Sequence, residues 1–274
     1  MNNFVKRTLS GFLFVTLIVG SILLSKFSFA VFFSLICGWS VREFHKLSNR
    51  QKDVDVDLWV ALLGGVLLFV SSFIYASGIW RYPVFLIYGF YVVFVLISEL
   101  YKKKSNPLHN WAYFIFGQIF IALPFSLLNF ILFISDWQPI ILLSVFVTIW
   151  VNDTGAYLTG VTIGKHRLFE RISPKKSWEG FFGGAVFALF SGFVFSLLIP
   201  EIKLINWLIF SEIIVIFGTF GDLIESLMKR TVNIKDSGDL IPGHGGLLDR
   251  FDSMLLAAPV VFIYLSFLFE HLNK

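Results

Sequence analysis

The chain has 274 residues, 57% of them hydrophobic and only 15% charged, with 34 Phe, a mean hydropathy of +0.79 and a net charge of +4. That balance excludes an ordinary soluble domain and points to a polytopic membrane protein. The single cysteine, Cys37, excludes an internal disulfide and a cysteine-based metal cluster, and the sequence holds no Walker A pattern, paired-His zinc motif or Gly-x-Ser-x-Gly elbow.

Repeated apolar runs of the length that crosses a bilayer predict an all-α integral membrane protein, a polytopic helical bundle of about nine transmembrane helices. They lie near 8–24, 27–44, 58–78, 82–100, 111–134, 138–162, 179–199, 204–228 and 252–271. With nine spans, the N-terminus and the loops after helices two, four, six and eight share one side, and that side carries eighteen of the 22 Lys and Arg. The positive-inside rule makes it cytoplasmic, N-terminus included. Ser28-Phe29-Ala30 after the first run resembles a signal-peptide cleavage site, but the apolar sequence continues directly into another span.

Residues 1–137 read as scaffold, with possible oligomer contacts. Arg42, Glu43, His45 and Lys46 are placed at the cytoplasmic headgroup level. Asp53, Asp55 and Asp57 alternate in a short loop, which suits a solvated turn better than a cation site. Pro124 predicts a kink in helix five.

From residue 138 onward the character changes. Asn152 and Asp153 interrupt the sixth hydrophobic run, and Asp153 falls roughly 8 Å inside the cytoplasmic boundary at ~1.5 Å per residue. Asp222 falls at a similar depth, roughly 9 Å, in helix eight. Acids within a span are expensive and usually face protein or water, so two at matching depth suggest one cavity. Glu212 lies deeper and reads equally well as a structural acid. Ser173-Pro174-Lys175-Lys176-Ser177-Trp178-Glu179-Gly180 follows helix six; its lysines suit phosphate clamping or a simple topology signal. Gly160-x-x-x-Gly164 and Gly180-x-x-x-Gly184 suit close helix packing.

The densest chemistry runs from Gly221 to Ser253. Asp222, Glu225, Ser226 and Lys229 share one helical face by spacing. Asp222, Asp249 and Asp252 offer hard oxygen ligands of the kind Mg²⁺ takes, and Asp153 extends the set. Lys229, Arg230, Lys235 and Arg250 would neutralise a polyphosphate, with Lys175 and Lys176 beside them. Gly243, Gly245 and Gly246 would let backbone N–H groups approach it, and His244 would donate to it.

The pattern Ser226-x-Met228-Lys229-Arg230, four residues, Lys235-Asp236-x-Gly238, two residues, Ile241-Pro242-x-His244-Gly245-Gly246-Leu247-x-Asp249-Arg250-Phe251-Asp252 resembles the signature of the phosphatidate cytidylyltransferase (CDP-diacylglycerol synthase) family. The segment from Ser173 to Gly180 and the Asn152-Asp153 interruption resemble the family too, so the likeness covers the C-terminal half, 138–274, with the signature at 226–252. It implies a bacterial inner-membrane enzyme, multi-pass with its active site toward the cytoplasm, that joins CTP to phosphatidic acid to give CDP-diacylglycerol and pyrophosphate. It further implies Mg²⁺, a monovalent cation such as K⁺ nearby, and a homodimer, with no nucleic acid among the partners. Under that reading Asp222, Asp249, Lys229, Arg230, Lys235, His244 and Arg250 are catalytic. Ser173, Lys175, Lys176, Ser226, Gly245 and Gly246 bind substrate, and Asp222, Asp249, Asp252 and Asp153 hold metal.

Three other readings compete. A cation-coupled transporter would place its acids near the midplane in corresponding halves of a repeat, whereas these cluster toward one face and in one half. A CTP-dependent lipid kinase would release CDP rather than pyrophosphate. A non-catalytic scaffold would bind no nucleotide.

Overall fold

The structure, a computed structural model, describes residues 3–80, 83–238, 240 and 245–272, with side chains described between residues 8 and 271. The elements are α1 (Asn3–Leu24), α2 (Lys26–Ser48), α3 (Leu58–Ala76), α4 (Val84–Ser98), α5 (Pro107–Gly117), α6 (Leu123–Leu132), α7 (Pro139–Ile163), a hairpin of β1 (Arg167–Phe169) and β2 (Ser173–Ser177), α8 (Trp178–Leu198), α9 (Leu204–Thr231) and α10 (Asp252–Leu272). Among the described residues eight helical stretches are long and apolar enough to cross a membrane, and the chain is an all-α polytopic membrane protein. Thr8–Leu24, at the first predicted span, is a shorter apolar helix.

By internal contacts the chain forms two compact units, Met1–Pro139 with Thr231–Phe251, and Ile140–Arg230 with Asp252–Lys274. The signature stretch is therefore divided: Ser226 to Arg230 and Asp252 belong to the second unit, the loop between them to the first.

In the first unit, α2 starts at a capping box in which Ser25 accepts the Ser28 N–H and Ser28 accepts the Ser25 N–H, each at 3.0 Å. Two of the three loop acids, Asp55 and Asp57, have structural partners. Asp57 caps α3 through the Trp59 and Val60 N–H groups, and Asp55 pairs with Lys104 at 3.0 Å. Pro124 cannot donate to residue 120, and its ring crowds that carbonyl. The run from α5 to α6 absorbs this with a π-helical turn, Gln118–Ala122. Buried Gln118 then ties the turn to α3, donating to the Ala61 carbonyl at 3.2 Å.

In the second unit the four long helices run antiparallel in sequence order. On α7 and α8, Gly160 faces Gly180, and Asn152 faces Gly184. On α8 and α9, Gly192 meets Ser211 and the Trp207 carbonyl; on α9 and α10, Gly221 lies against the Asp252 carbonyl while the Tyr264 hydroxyl donates to the Asn206 carbonyl at 3.1 Å. Small residues let these backbones approach, as the paired small-residue spacing anticipates. The hairpin is a departure from an all-helical expectation. Arg167 pairs with Ser177 and Phe169 with Ser173, and the buried Ile172 anchors the turn. Pro174 is tolerated because a two-stranded ribbon has only edges.

A Cβ at Gly184 would lie 2.5 Å from Asn152 Oδ1 and 2.9 Å from the Asn152 carbonyl oxygen, whereas one at Gly89 meets nothing within 4 Å. Gly184→Val is expected to destabilise the detergent-solubilised protein by about 1–3 kcal/mol. Gly89→Val should leave the thermal unfolding midpoint unchanged. Equal midpoints for both variants would contradict the packing described here.

Candidate active site

The hairpin and the ends of α7 to α10 enclose a cavity of about 690 Å³ in the second unit. Alternation along β2 sends neighbouring side chains to opposite faces, leaving Lys175 exposed and Lys176 half-buried. Ser177 then turns the chain into α8, accepting the Gly180 N–H at 3.1 Å as N-cap. The close approach of Gly160 to Gly180 keeps α7 and α8 together beneath it.

Asp222 is the centre of the cavity's electrostatics. One carboxylate oxygen pairs with the Lys176 ammonium, and the other accepts the Ser226 hydroxyl at 3.1 Å one turn along α9. Asp252, at the start of α10, accepts the Ser253 N–H at 2.6 Å and lies within electrostatic range of Asp222, Asp153 and Lys176. Asn152 donates to Asp153 at 3.5 Å, and both line the cavity with Asp222. Asp153, Asp222 and Asp252, set on three different helices, are thus brought together with Lys176.

The donor set suits a hard divalent cation. No group of three or more His, Cys, Asp or Glu stands at ligating distance among the described residues. Mg²⁺, however, is commonly held by one or two carboxylates, water and substrate phosphate, and the Lys176 ammonium already marks a place for positive charge against Asp222.

Other residues singled out from the sequence have different surroundings. Lys229 is buried and pairs with the buried Glu225 one turn back on α9. Arg230 is exposed and reaches the Ile172 carbonyl at 3.5 Å, tying the end of α9 to the hairpin turn. Ser173 pairs in the hairpin. In the first unit, Asp249 accepts the Ser237 N–H at 3.0 Å and the Gly246 N–H at 2.8 Å. Gly245 takes φ +82 beside it, a backbone angle that glycine adopts at little cost. Lys235 and Arg250 are exposed. His244 and Gly243 lie outside the described residues.

Arg167 and Thr219 also line the cavity without having been singled out. Arg167 was legible only as one more cytoplasmic charge; its pairing with Ser177 across the hairpin is what places it beside the lysines. Glu43, assigned to the headgroup level, is instead buried at 3% exposure and accepts the Leu248 N–H at 2.8 Å.

A family model described as the cytidylyltransferase family matches residues 5–268. The chain belongs to that family. Within the cytidylyltransferase family it is 32% identical over 268 residues to a protein of Bacillus subtilis (strain 168) named phosphatidate cytidylyltransferase, covering 95% of this chain and 97% of that one. A Rickettsia bellii (strain RML369-C) protein of the same name is 36% identical over 231 residues, covering 80% of this chain and 94% of its own. A Thermotoga maritima protein, again so named, is 37% identical over 183 residues, 65% of this chain and 66% of that protein. The family match spans the N-terminal helices as well as the signature.

The pairing of Lys176 with Asp222 is open to a double-mutant cycle. Lys176→Met, Asp222→Asn and the double variant should show a coupling of about 0.5–3 kcal/mol in thermal unfolding. Strict additivity would mean the two side chains do not meet.

Proposed function

We propose that this chain transfers the cytidylyl group of CTP to phosphatidic acid, forming CDP-diacylglycerol and pyrophosphate for phospholipid synthesis. One observation supports the reading above the others. Two acids, Asp153 and Asp222, line a cavity of about 690 Å³ together with Lys176, with Asp252 in electrostatic range of all three, and the lining residues include no Ser/His or Cys/His nucleophile. Such a volume lies within the usual span of about 300–1,000 Å³ for small-molecule sites. The relatives' name supports the choice of CTP and phosphatidate as substrates.

In this reaction a phosphate oxygen of phosphatidate forms a bond to the α-phosphorus of CTP. The bond from that phosphorus to the bridging oxygen breaks, and the electron pair leaves with pyrophosphate. The attacking group is already an oxyanion, so no side chain needs to become one. Both reactants are anionic, and the demand on the protein is electrostatic. Lys175, Lys176 and Arg167 line the cavity and offset the charge of the phosphates. Ser226 holds the orientation of Asp222. Asp222 and Asp252, with Asp153 beside them, would hold Mg²⁺, which supplies Lewis-acid stabilisation of the charge developing on the leaving phosphate. Lys229, Arg230, Lys235, His244 and Arg250 keep their proposed phosphate-handling roles, Asp249 a metal role, and Ser173, Gly245 and Gly246 substrate binding.

The same proposal includes nine spans with the N-terminus inside, supported by the one-sided Lys and Arg distribution and by the apolar Thr8–Leu24 helix. It places the protein in a bacterial inner membrane, facing its site to the cytosol where CTP is found. Residues 138–274 form its catalytic region. A monovalent cation such as K⁺ and a homodimer belong to it on the family resemblance.

Purified protein given CTP, Mg²⁺ and phosphatidic acid should yield a cytidine-containing lipid and pyrophosphate; release of CDP instead would select the lipid-kinase reading. Asp222→Asn is expected to lower kcat by at least about a hundredfold while membrane insertion is retained. Near-normal turnover in that variant refutes the role of Asp222.

A further inference from the structure

The first unit contains a buried carboxylate that lies outside the signature but is held by it. Glu43 sits on α2, 3% exposed, between Arg42 and Phe44. Its Oε2 accepts the Leu248 N–H at 2.8 Å and the Ser237 hydroxyl at 3.3 Å. Two signature glycines close over it. A Cβ at Gly238 would lie 2.5 Å from Glu43 Oε1, and one at Gly246 would lie 2.7 Å from Oε2. Neither position has room for a side chain while the carboxylate is there.

Asp249 grips the same loop. Ser237 gives its N–H to Asp249 and its hydroxyl to Glu43, so one buried residue bridges both acids. The Gly246 N–H goes to Asp249, and the Leu248 N–H to Glu43. The loop that joins α9 to α10 is thereby fastened at both of its described ends, Ser237 and Leu248, to one carboxylate on α2. Backbone N–H groups are obligatory donors, and buried ones must be satisfied. Charge-assisted acceptance by a carboxylate is about twice as strong as a neutral hydrogen bond. A lone structural acid at the headgroup level would face water rather than four loop residues at close range.

We propose that Glu43 is a positioning residue for the signature loop: it acts through Ser237 and Leu248 to set the loop conformation that the reaction uses. This rests on the function proposed above. Glu43 touches no reacting atom, so its removal alters the loop rather than the chemistry.

The test pairs Glu43→Met, close in shape but without an acceptor, with Glu43→Gln, which keeps one acceptor oxygen. Leaving the Leu248 N–H and the Ser237 hydroxyl buried without their acceptor, Glu43→Met is expected to lower kcat on the order of ten- to a hundredfold. The KM for CTP should move by no more than about threefold, and Glu43→Gln should recover most of the loss. Hydrogen exchange should quicken at the Ser237, Gly246 and Leu248 amides and stay as in the wild type along α7 to α10. A kcat for Glu43→Met within about twofold of wild type, or Glu43→Gln as poor as Glu43→Met, overturns the proposal. So does exchange that rises equally throughout the chain, which is the mark of general destabilisation. Should Glu43→Met fail to insert, Ser237→Ala decides: faster exchange at Leu248 supports the bridge, and unchanged exchange refutes it. A wild-type protein that makes no cytidine-containing lipid would sink the proposed function, while the exchange comparison would still judge the fastening of the loop.

Discussion

An ionised carboxylate held away from bulk water needs either a cation or several donors, because burying it alone costs far more than folding can offset. That single requirement accounts for the surroundings of four of the chain's acids. Asp222 has Lys176 and Ser226, Glu225 has Lys229, Asp249 has the Ser237 and Gly246 amides, and Glu43 has Leu248 and Ser237. The Asp222–Lys176, Asp249–Ser237 and Glu43 pairings join separate pieces of chain, whereas Glu225–Lys229 stays within α9. The acids therefore work as fasteners as well as chemical groups, and the folded position of the hairpin and the loop follows from them.

Close helix approach is the second half of the same arrangement. Lipid tails give helices no hydrophobic reason to associate, so packing must come from contact and hydrogen bonding. Gly160, Gly180, Gly184, Gly192 and Gly221 supply contact at backbone distance along α7 to α10. The cavity sits at the end of those helices where the hairpin replaces side-chain packing. Its walls are held by glycine contacts along α7 and α8 and by the pairing of Lys176 with Asp222, which leaves room for polar ligands.

Much of this was legible in the sequence, for identifiable reasons. Asp153 and Asp222 stand out because an acid within an apolar helix is rare and costly, and equal depth on two helices is enough to group them. Pro124 announced a disturbed helix, although the π-turn that absorbs it needs tertiary support from Gln118. The hairpin was not legible: a Lys-rich segment with a proline reads as loop, and it is the pairing of Arg167 with Ser177 and of Phe169 with Ser173 that makes it a strand. Without that register nothing tells which lysine meets Asp222 or promotes Arg167. Glu43 was hidden for a different reason. Beside Arg42 and Lys46 it looks like one more interfacial charge, and its partner Ser237 lies 194 residues away. Non-local partners of a local charge cannot be read from spacing.

The way an acid is satisfied also governs what its replacement reveals. Asp222 is matched in part by an ammonium on a flexible four-carbon stem, a partner that can move aside for another cation. Asp249 is matched by two backbone amides whose positions are set by the turn itself. Replacing Asp222 with Asn therefore changes charge while the helix beneath it persists, whereas the same change at Asp249 alters charge and turn together. A kinetic defect at Asp249 mixes those two effects, and one at Asp222 mixes charge with the hold on a hairpin side chain but leaves the turn backbone alone. Under the proposed reaction, Asp222 is thus the acid at which electrostatic demand shows with the lesser backbone change, and Glu43 the acid at which loop geometry shows without a change at the cavity.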